Sequence, residues 1–299
     1  MNVIAIINPI SGAGGRDGLL HTLFRRLRAE GHSITRRVTA GPGDARRWAV
    51  QAANCREAVV LAVGGDGTVN EVADGLVGGS CPMLIWPTGT ENLVAKYLGY
   101  RADPEAVLAT LRAGRISAFD VGIANGGSFL VIVGAGFDAE VVQRLIRLRR
   151  GHITHLTYTE PLWRTFWEHR WPELEIAADA PEGPLRWRGR GMAFVGNMAR
   201  YALNLRVVRD ALPDDGLLDL CVMPCRGRIA LVGHALRTLR RRHVEHPSVL
   251  YRRVTRVRIT AQQPTPMEVD GEFAGMLPLE ASIRPGALRM MIPPDSRRG

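Results

Sequence analysis

Gly64-Gly65-Asp66-Gly67-Thr68 is the stretch of this sequence best suited to chemistry. Its glycines let the main chain turn sharply and meet a ligand with no Cβ in the way. Where such a turn opens a helix, N–H groups without an intrahelical partner point outward, and a phosphate fits there. Two more polar, glycine-bearing stretches accompany it, Asn8-Pro9-Ile10-Ser11-Gly12 and Pro87-Thr88-Gly89-Thr90-Glu91-Asn92.

The elements that must carry these loops are readable on either side of them. Residues 58–63 are an apolar, β-branched run, the pattern of a parallel strand buried on both faces. Residues 69–77 have helical spacing, and Thr68 followed by Glu71 predicts a capping box at the start of that helix. Further strands are predicted at 2–7, 33–39 and 82–86. Helices are predicted over 19–27 (Leu19, Leu20, Leu23, Phe24 and Leu27 on one face, Gly31 ending it), 43–54 and 91–98, with another opened by Asp103-Pro104 and closed by Gly114. Alternating strands and helices argue a parallel sheet with helices on both faces. All three loops then leave the carboxyl ends of strands, the edge at which open α/β sheets bind ligands. Gly12, Gly14 and Gly18 have the wrong spacing for a dinucleotide fingerprint. A P-loop is excluded too, because Lys96 is the only lysine.

Near residue 116 the pattern changes to antiparallel β-structure. A hairpin is predicted from strands 116–124 and 129–133 around Asn125-Gly126-Gly127, with further strands at 173–178, 186–196, 203–209, 217–223, 252–260 and 280–292. Arginine-rich helices are predicted at 138–149 and 227–243. Leu162, Trp163, Phe166, Trp167 and Trp171 fall at helical spacing, either as a core helix, the preferred reading, or as an apolar wall or membrane-facing patch. The expected division is an α/β domain over 1–116, to which residues 285–299 return, and a β-rich domain over 117–284.

Composition narrows the function classes. The 299 residues suffice for two cores, and no apolar run approaches the roughly 18–20 residues of a membrane span. The first residues read as a strand, not a signal peptide. Cys55, Cys81, Cys221 and Cys225 are too scattered for a disulfide scaffold, so a reducing cytoplasm fits. Cys221 and Cys225 have no second pair to make a zinc site. The net charge of +10 suits nucleic acid, an anionic membrane surface or a phosphorylated ligand, or reflects a compositional bias. Arg297 and Arg298 read as a disordered basic tail.

Together the three loops and Val269-Asp270-Gly271-Glu272 resemble the diacylglycerol kinase catalytic-domain family, which includes bacterial lipid kinases and sphingosine kinases, with NAD kinases more distant. The resemblance spans nearly the whole chain. It implies an α/β N-terminal domain, a sandwich-like antiparallel C-terminal domain, and an ATP- and Mg²⁺-dependent kinase acting on a lipid hydroxyl in the cleft between them. The alternatives are a kinase of a soluble acceptor, as in NAD kinases, and a non-catalytic lipid- or nucleotide-binding protein. Carried over, Gly64, Gly65, Asp66, Gly67, Thr68, Val69, Asn70 and Glu71 belong to the ATP site. Asn8, Ser11, Gly12, Thr39, Thr88, Gly89, Thr90 and Asn92 complete it. Asp270 takes the role of general base, with Glu272 placing a magnesium ion or its water. Asp66 is the alternative base. Asp-Gly is also a common hairpin pair, so Asp270 alone reads equally as a turn.

The resemblance also implies a structural Mg²⁺ on Asp215 and the carbonyls of Leu212 and Leu217. The competing reading of that segment is a capped turn without metal. Many relatives continue the third loop as Asn-Asp-Phe, whereas this chain has Asn92-Leu93-Val94, which bears on the acceptor. The expected partners are a lipid substrate and an anionic membrane surface met through Arg144, Arg147, Arg149 and Arg150, with no nucleic acid. A homodimer stays open, and the expected location is cytoplasmic, peripheral at the membrane.

Overall fold

Seven consecutive buried residues make β3 (Ala58–Gly64) the centre of a parallel sheet. Such a strand has apolar cover on both faces, as its unbroken β-branched run requires. In the computed structural model, residues 1–12, 17–148, 159–201 and 205–296 are described. The chain divides into two units, residues 1–121 with 286–299, and residues 122–285.

In the first unit β1 (Asn2–Ile7) and β4 (Met83–Pro87) flank β3, and β2 (Ser33–Val38) lies outside β1, all parallel. The last residues of β15 (Leu279–Met291) join beside β4, with Met290 opposite Met83. Helix α1 (Asp17–Ala29) buries Leu20, Leu23, Phe24 and Leu27, while Leu19 is exposed. The others are α2 (Asp44–Ala52), α3 (Asp66–Leu76), α4 (Leu93–Leu98) and α5 (Pro104–Ala113). Asp103 caps α5 by accepting from the amides of Glu105 and Ala106, and Gly114, at φ 60°, closes it. The Tyr100 hydroxyl donates to the Met291 carbonyl, and the Ile292 amide donates to the Arg115 carbonyl at 2.8 Å.

The expected capping box at Thr68 is replaced by a different arrangement. Helix α3 starts earlier, at Asp66 behind Gly65, which puts Thr68 inside the first turn and buried. Glu71 turns to α2, where it accepts from the amides of Gly43 (3.0 Å) and Ala45 (3.2 Å). Gly43 has no side chain with which to cap α2, so a carboxylate from the neighbouring helix does it.

In the second unit two antiparallel sheets enclose a core that includes Leu174, Ile176, Val195, Leu220, Val222, Val257 and Ile259. Strand β9 (Gly183–Gly196) belongs to both. Its first half pairs with β8 (Glu173–Ala180) and alternates in exposure; its second half pairs with β7 (Ile132–Ala135) and β10 (Leu218–Pro224) and is wholly buried. Beyond β10 lies β11 (Leu250–Val254), and beyond β7 lie β13 (Pro266–Val269) and β14 (Glu272–Met276). Beyond β8 lie β12 (Arg256–Ala261) and the start of β15.

Three expected strands are corrected. Residues 252–260 are two strands in two sheets, parted at Thr255, whose amide donates to the Asp179 carbonyl at 2.8 Å. The hairpin partner of β5 (Ile116–Ala124) is only β6 (Gly127–Phe129), because the backbone breaks at Leu130–Val131 before β7 begins. Of 203–209, residues 205–209 are not a strand and 203–204 lie outside the described residues. Val207 and Val208 are buried there as loop anchors, Val208 against Gly196 and the Val207 carbonyl under His243 Nε2 at 2.8 Å.

Three helices accompany these sheets, α6 (Phe137–Leu148), α7 (Thr159–Glu168) and α8 (Arg228–Leu239). The aromatic segment is not the core helix preferred from sequence. Helix α7 buries Pro161 and Thr165 and exposes Leu162, Trp163 and Trp167, with Trp163 at 63%. Arg144 does not face outward either; its guanidinium bridges Glu140 (2.7 Å) and Glu168 (2.6 Å). Arg149, Arg150, Arg297 and Arg298 lie outside the described residues. No described helix is long and apolar enough to cross a membrane.

Candidate active site

The three loops converge at the carboxyl ends of β1, β3 and β4, and contacts that only glycine allows hold them together. A Cβ on Gly65 would stand 3.3 Å from both Gly89 Cα and Ser11 Oγ, and one on Gly89 would stand 2.7 Å from Gly65 Cα. Side chains on Gly12 and Gly64 would overlap Thr88 and Thr68. Hydroxyls and one amide cross-link the loops: Thr88 Oγ1 donates to Ser11 Oγ at 2.9 Å, and Asn8 Nδ2 to Thr68 Oγ1 at 3.0 Å. The amide of Thr88 donates to the Gly64 carbonyl at 2.9 Å. Thr39 follows β2 beside them, its amide donating to the Ile7 carbonyl at 2.9 Å. The first turn of α3, from Asp66, opens between these loops with the positive end of its dipole.

Asp66 is committed to the third loop. Its Oδ2 accepts the Asn92 amide at 2.8 Å and its Oδ1 the Leu93 amide at 2.6 Å, which caps α4 from a distance of 26 residues in sequence. Asn92 stands in the left-handed region (φ 49°) and cannot cap α4 itself; its side chain instead accepts from the Gly89 amide (2.9 Å) and donates to the Gly89 carbonyl (2.6 Å). Burial pushes the Asp66 carboxyl above its usual range, against the two amide bonds that favour its charge.

In the second unit, Asp270 and Gly271 form the two-residue turn between β13 and β14, both at positive φ (49° and 83°). The hairpin reading is therefore correct, and the carboxylate has further work. Asp270 is 7% exposed, with Oδ2 accepting the Leu130 amide (2.8 Å) and Oδ1 the amides of Val131 (2.9 Å) and Ile132 (2.8 Å). These are the amides released where the backbone breaks between β6 and β7. On the other side of that break, Asn197 Nδ2 donates to the Leu130 carbonyl (3.1 Å) and the Asn197 amide to the Val131 carbonyl (2.8 Å). Glu272, the first residue of β14, is exposed.

Beneath the turn lies a buried acid pair. Glu268 Oε2 accepts the Gly271 amide at 2.7 Å, and Tyr201 donates its hydroxyl to Asp138 Oδ2 at 2.8 Å. Burial first, and then the charge of Asp138, push Glu268 well above the usual carboxylate range; burial raises Asp138 also. A proton held on this pair leaves the floor of the Asp270 turn with less negative charge.

The segment expected to hold a structural cation presents Asp215, whose Oδ1 accepts the Leu217 amide at 3.0 Å and whose Oδ2 lies 3.9 Å from the Arg253 guanidinium. Asp219 is fully buried nearby, pushed up to about 6 by burial, with the Asp215 charge adding to the shift. Two repelling carboxylates suit a hard cation. Asp215 would hold it, and the ion would supply charge to offset their repulsion. Among the described residues no group of three or more acidic, histidine or cysteine side chains could hold a metal ion.

The comparisons with known proteins bear on the family and the fold. Residues 2–124 match the diacylglycerol kinase catalytic domain, and residues 131–292 match the YegS C-terminal NAD kinase beta sandwich-like domain. A Pseudomonas aeruginosa protein named "Probable lipid kinase YegS-like" is 31% identical over 278 residues, 90% of this chain and 88% of its own. The chain belongs to the diacylglycerol kinase catalytic-domain family. A Bacillus subtilis diacylglycerol kinase is 28% identical over 279 residues, covering 92% of this chain and 91% of its own. The crystal structure of a diacylglycerol kinase from Bacillus anthracis str. Sterne has the same fold, with a TM-score of 0.69 at 19% identity, covering 99% of this chain and 98% of that one. Membership makes this chain a phosphotransferase with an alcohol group as acceptor.

Within the family frame, the structure groups Asn8, Ser11, Gly12, Gly64, Gly65, Asp66, Thr68, Thr88, Gly89 and Asn92 around one set of loops. It gives the Glu71 carboxylate to α2 instead. Sequence reasoning missed the Leu130–Ile132 amides, Asn197 and the Glu268–Asp138–Tyr201 group. Backbone amides carry no residue signature. The one available signal was Glu268, an acid in an otherwise apolar strand two residues before Asp270.

Proposed function

We propose that this family member transfers the γ-phosphoryl group of ATP, with Mg²⁺, to a hydroxyl of a membrane lipid. The observation that carries the nucleotide half is the Gly65–Gly89–Ser11 approach, a backbone surface at a helix start that a single Cβ would fill. The lipid half rests on relatives named diacylglycerol kinase and lipid kinase.

In this reading the amides of residues 65–68 hold phosphate oxygens, and the hydroxyls of Ser11, Thr39, Thr88 and Thr90 orient the nucleotide around them. Asp66 fixes the third loop against the first turn of α3, so that both close on the phosphates together. Asp270 takes the proton of the acceptor hydroxyl as its oxygen attacks phosphorus. The amides of Leu130, Val131 and Ile132 hold that carboxylate in place. Glu272, open to solvent, is the residue that would hold the magnesium ion or its water. Bound magnesium would offset the charge of the phosphates.

The test is transfer of label from [γ-³²P]ATP in the presence of a total lipid extract. Label in the organic phase supports a lipid acceptor; label that stays in an aqueous product moves the assignment to a soluble acceptor.

A further inference from the structure

Helix α8 is turned inside out. Its inward positions are Leu231, His234 and Thr238, two of them polar, with His234 Nε2 bonded to the Pro224 carbonyl at 2.9 Å. Its outward positions are Ile229, Val232, Leu236 and Leu239, which fall three or four residues apart on one face, and Ile229 is 92% exposed. A helix of an isolated globular domain places its apolar stripe the other way. The stripe continues onto α7. Arg228 donates to the carbonyls of Phe166 (3.1 Å) and Trp167 (2.6 Å) and stacks over the Trp167 ring at 4.5 Å, which joins the start of α8 to the end of α7. Trp163 and Trp167 are exposed beside it.

The charge around this face identifies what covers it. From Arg226 to Val244 there are six arginines and no acidic residue, and Arg226, Arg240, Arg241 and Arg242 are exposed. The acids of the adjoining segments are already engaged, Glu168 by Arg144 and Glu245 by Arg209. A second copy docking on the same face would bring twelve arginines of the Arg226–Val244 segments together, and the nearby carboxylates, Glu160, Glu168 and Glu245, are each already paired with another arginine. An apolar stripe with exposed tryptophans and a rim of uncompensated arginine suits the boundary of an anionic bilayer, where acyl chains meet phosphate headgroups.

We propose that the outward face of α8, with Trp163 and Trp167 of α7, is the surface by which this protein seats on anionic membrane. The inference deepens the lipid-kinase reading and rests on it for its purpose, but binding alone tests it. Full-length protein is sedimented with phosphatidylcholine vesicles, with and without roughly one quarter phosphatidylglycerol. The variants are Ile229→Ser with Leu239→Ser, and Arg240→Gln with Arg242→Gln. Wild-type partitioning is expected to favour the anionic vesicles about ten-fold or more. The serine pair should lose most binding, and the glutamine pair should lose the preference for anionic lipid. Both should keep wild-type thermal unfolding, solution mass and turnover on detergent-dispersed diacylglycerol. Equal wild-type binding to both vesicles, or unchanged binding of the serine pair, overturns the proposal. So does a fall from dimer to monomer in the serine pair, which would make the face a contact between copies. If no form phosphorylates dispersed diacylglycerol while vesicle binding behaves as stated, the acceptor assignment fails and the docking surface stands.

Discussion

Asp270→Asn would ordinarily be made to remove a general base, and the structure indicates that it will also loosen the second unit. The carboxylate accepts three main-chain amides at 2.8, 2.9 and 2.8 Å in a buried site. An asparagine oxygen can keep two of these bonds, those to Val131 and Ile132, as weaker neutral ones. Its amide nitrogen then faces the Leu130 N–H, donor against donor, and Leu130 is only 1% exposed. Leaving one buried donor unsatisfied costs about 1–3 kcal/mol, and losing charge assistance on the other two adds about 1 kcal/mol, so about 3 kcal/mol is expected in all. For a unit of this size that lowers Tm by about 6–12 °C. Calorimetry gives the stability change, and kcat is compared at a temperature where both proteins are folded. Loss of the base should cost kcat about 10²–10⁴-fold with ATP affinity nearly kept. A variant melting within about 1 °C of wild type would refute the three-amide argument. Wild-type kcat in the folded variant would refute the base.

Three further perturbations read other parts of the same design. Gly65→Ala keeps an ordinary backbone conformation (φ −90°) but sets a methyl 3.3 Å from Gly89 and Ser11; ATP affinity by titration calorimetry should fall about ten-fold or more with a Tm loss of a few degrees, and unchanged affinity would sink the phosphate-loop assignment. Asp66→Asn removes the charged cap of α4, so nucleotide affinity should fall together with about 1–2 kcal/mol of first-unit stability; a loss of kcat alone would move the base role to Asp66. Asp219, raised by burial from 3.8 to about 6, binds its proton more tightly folded than unfolded, so its contribution falls as pH rises between those values and is a penalty above about 6. Urea unfolding of Asp219→Asn against wild type should therefore shift by about 2.5 kcal/mol in favour of the variant from pH 4 to pH 8, and a constant difference would show that Asp219 does not titrate as described.

The first unit was largely legible because its information is local. A β-branched run, a glycine turn and a helical spacing follow one another three times, and Asp103-Pro104 with Gly114 bounds α5 within a few residues. What escaped was settled between distant segments. Glu71 reads as a local cap partner for Thr68, yet the uncapped N-terminus of α2 lies within its reach and takes it. Residues 252–260 alternate like one strand, and nothing within them records that their two halves pair with different sheets. Helix α8 was visible as a helix, but its orientation depends on which side the rest of the unit occupies. Its inward histidine and threonine gave no warning of that. At the site, the glycines were readable from their type, whereas the amides around Asp270 belong to Leu130, Val131 and Ile132, apolar residues that read only as buried core.

The return of residues 286–292 to the first unit has a consequence for biosynthesis. Met290 pairs with Met83, the Tyr100 hydroxyl is bonded to the Met291 carbonyl and the Ile292 amide to Arg115, so the first unit contains two pieces of chain separated by all of the second unit. A growing chain can display every one of the three glycine loops long before the strand that completes their sheet has been made. Domains otherwise fold as they emerge, N-terminal first. Here the second unit has the better claim to mature early, and a chain stopped near residue 285 would keep each loop residue while lacking an edge of the sheet that aligns them.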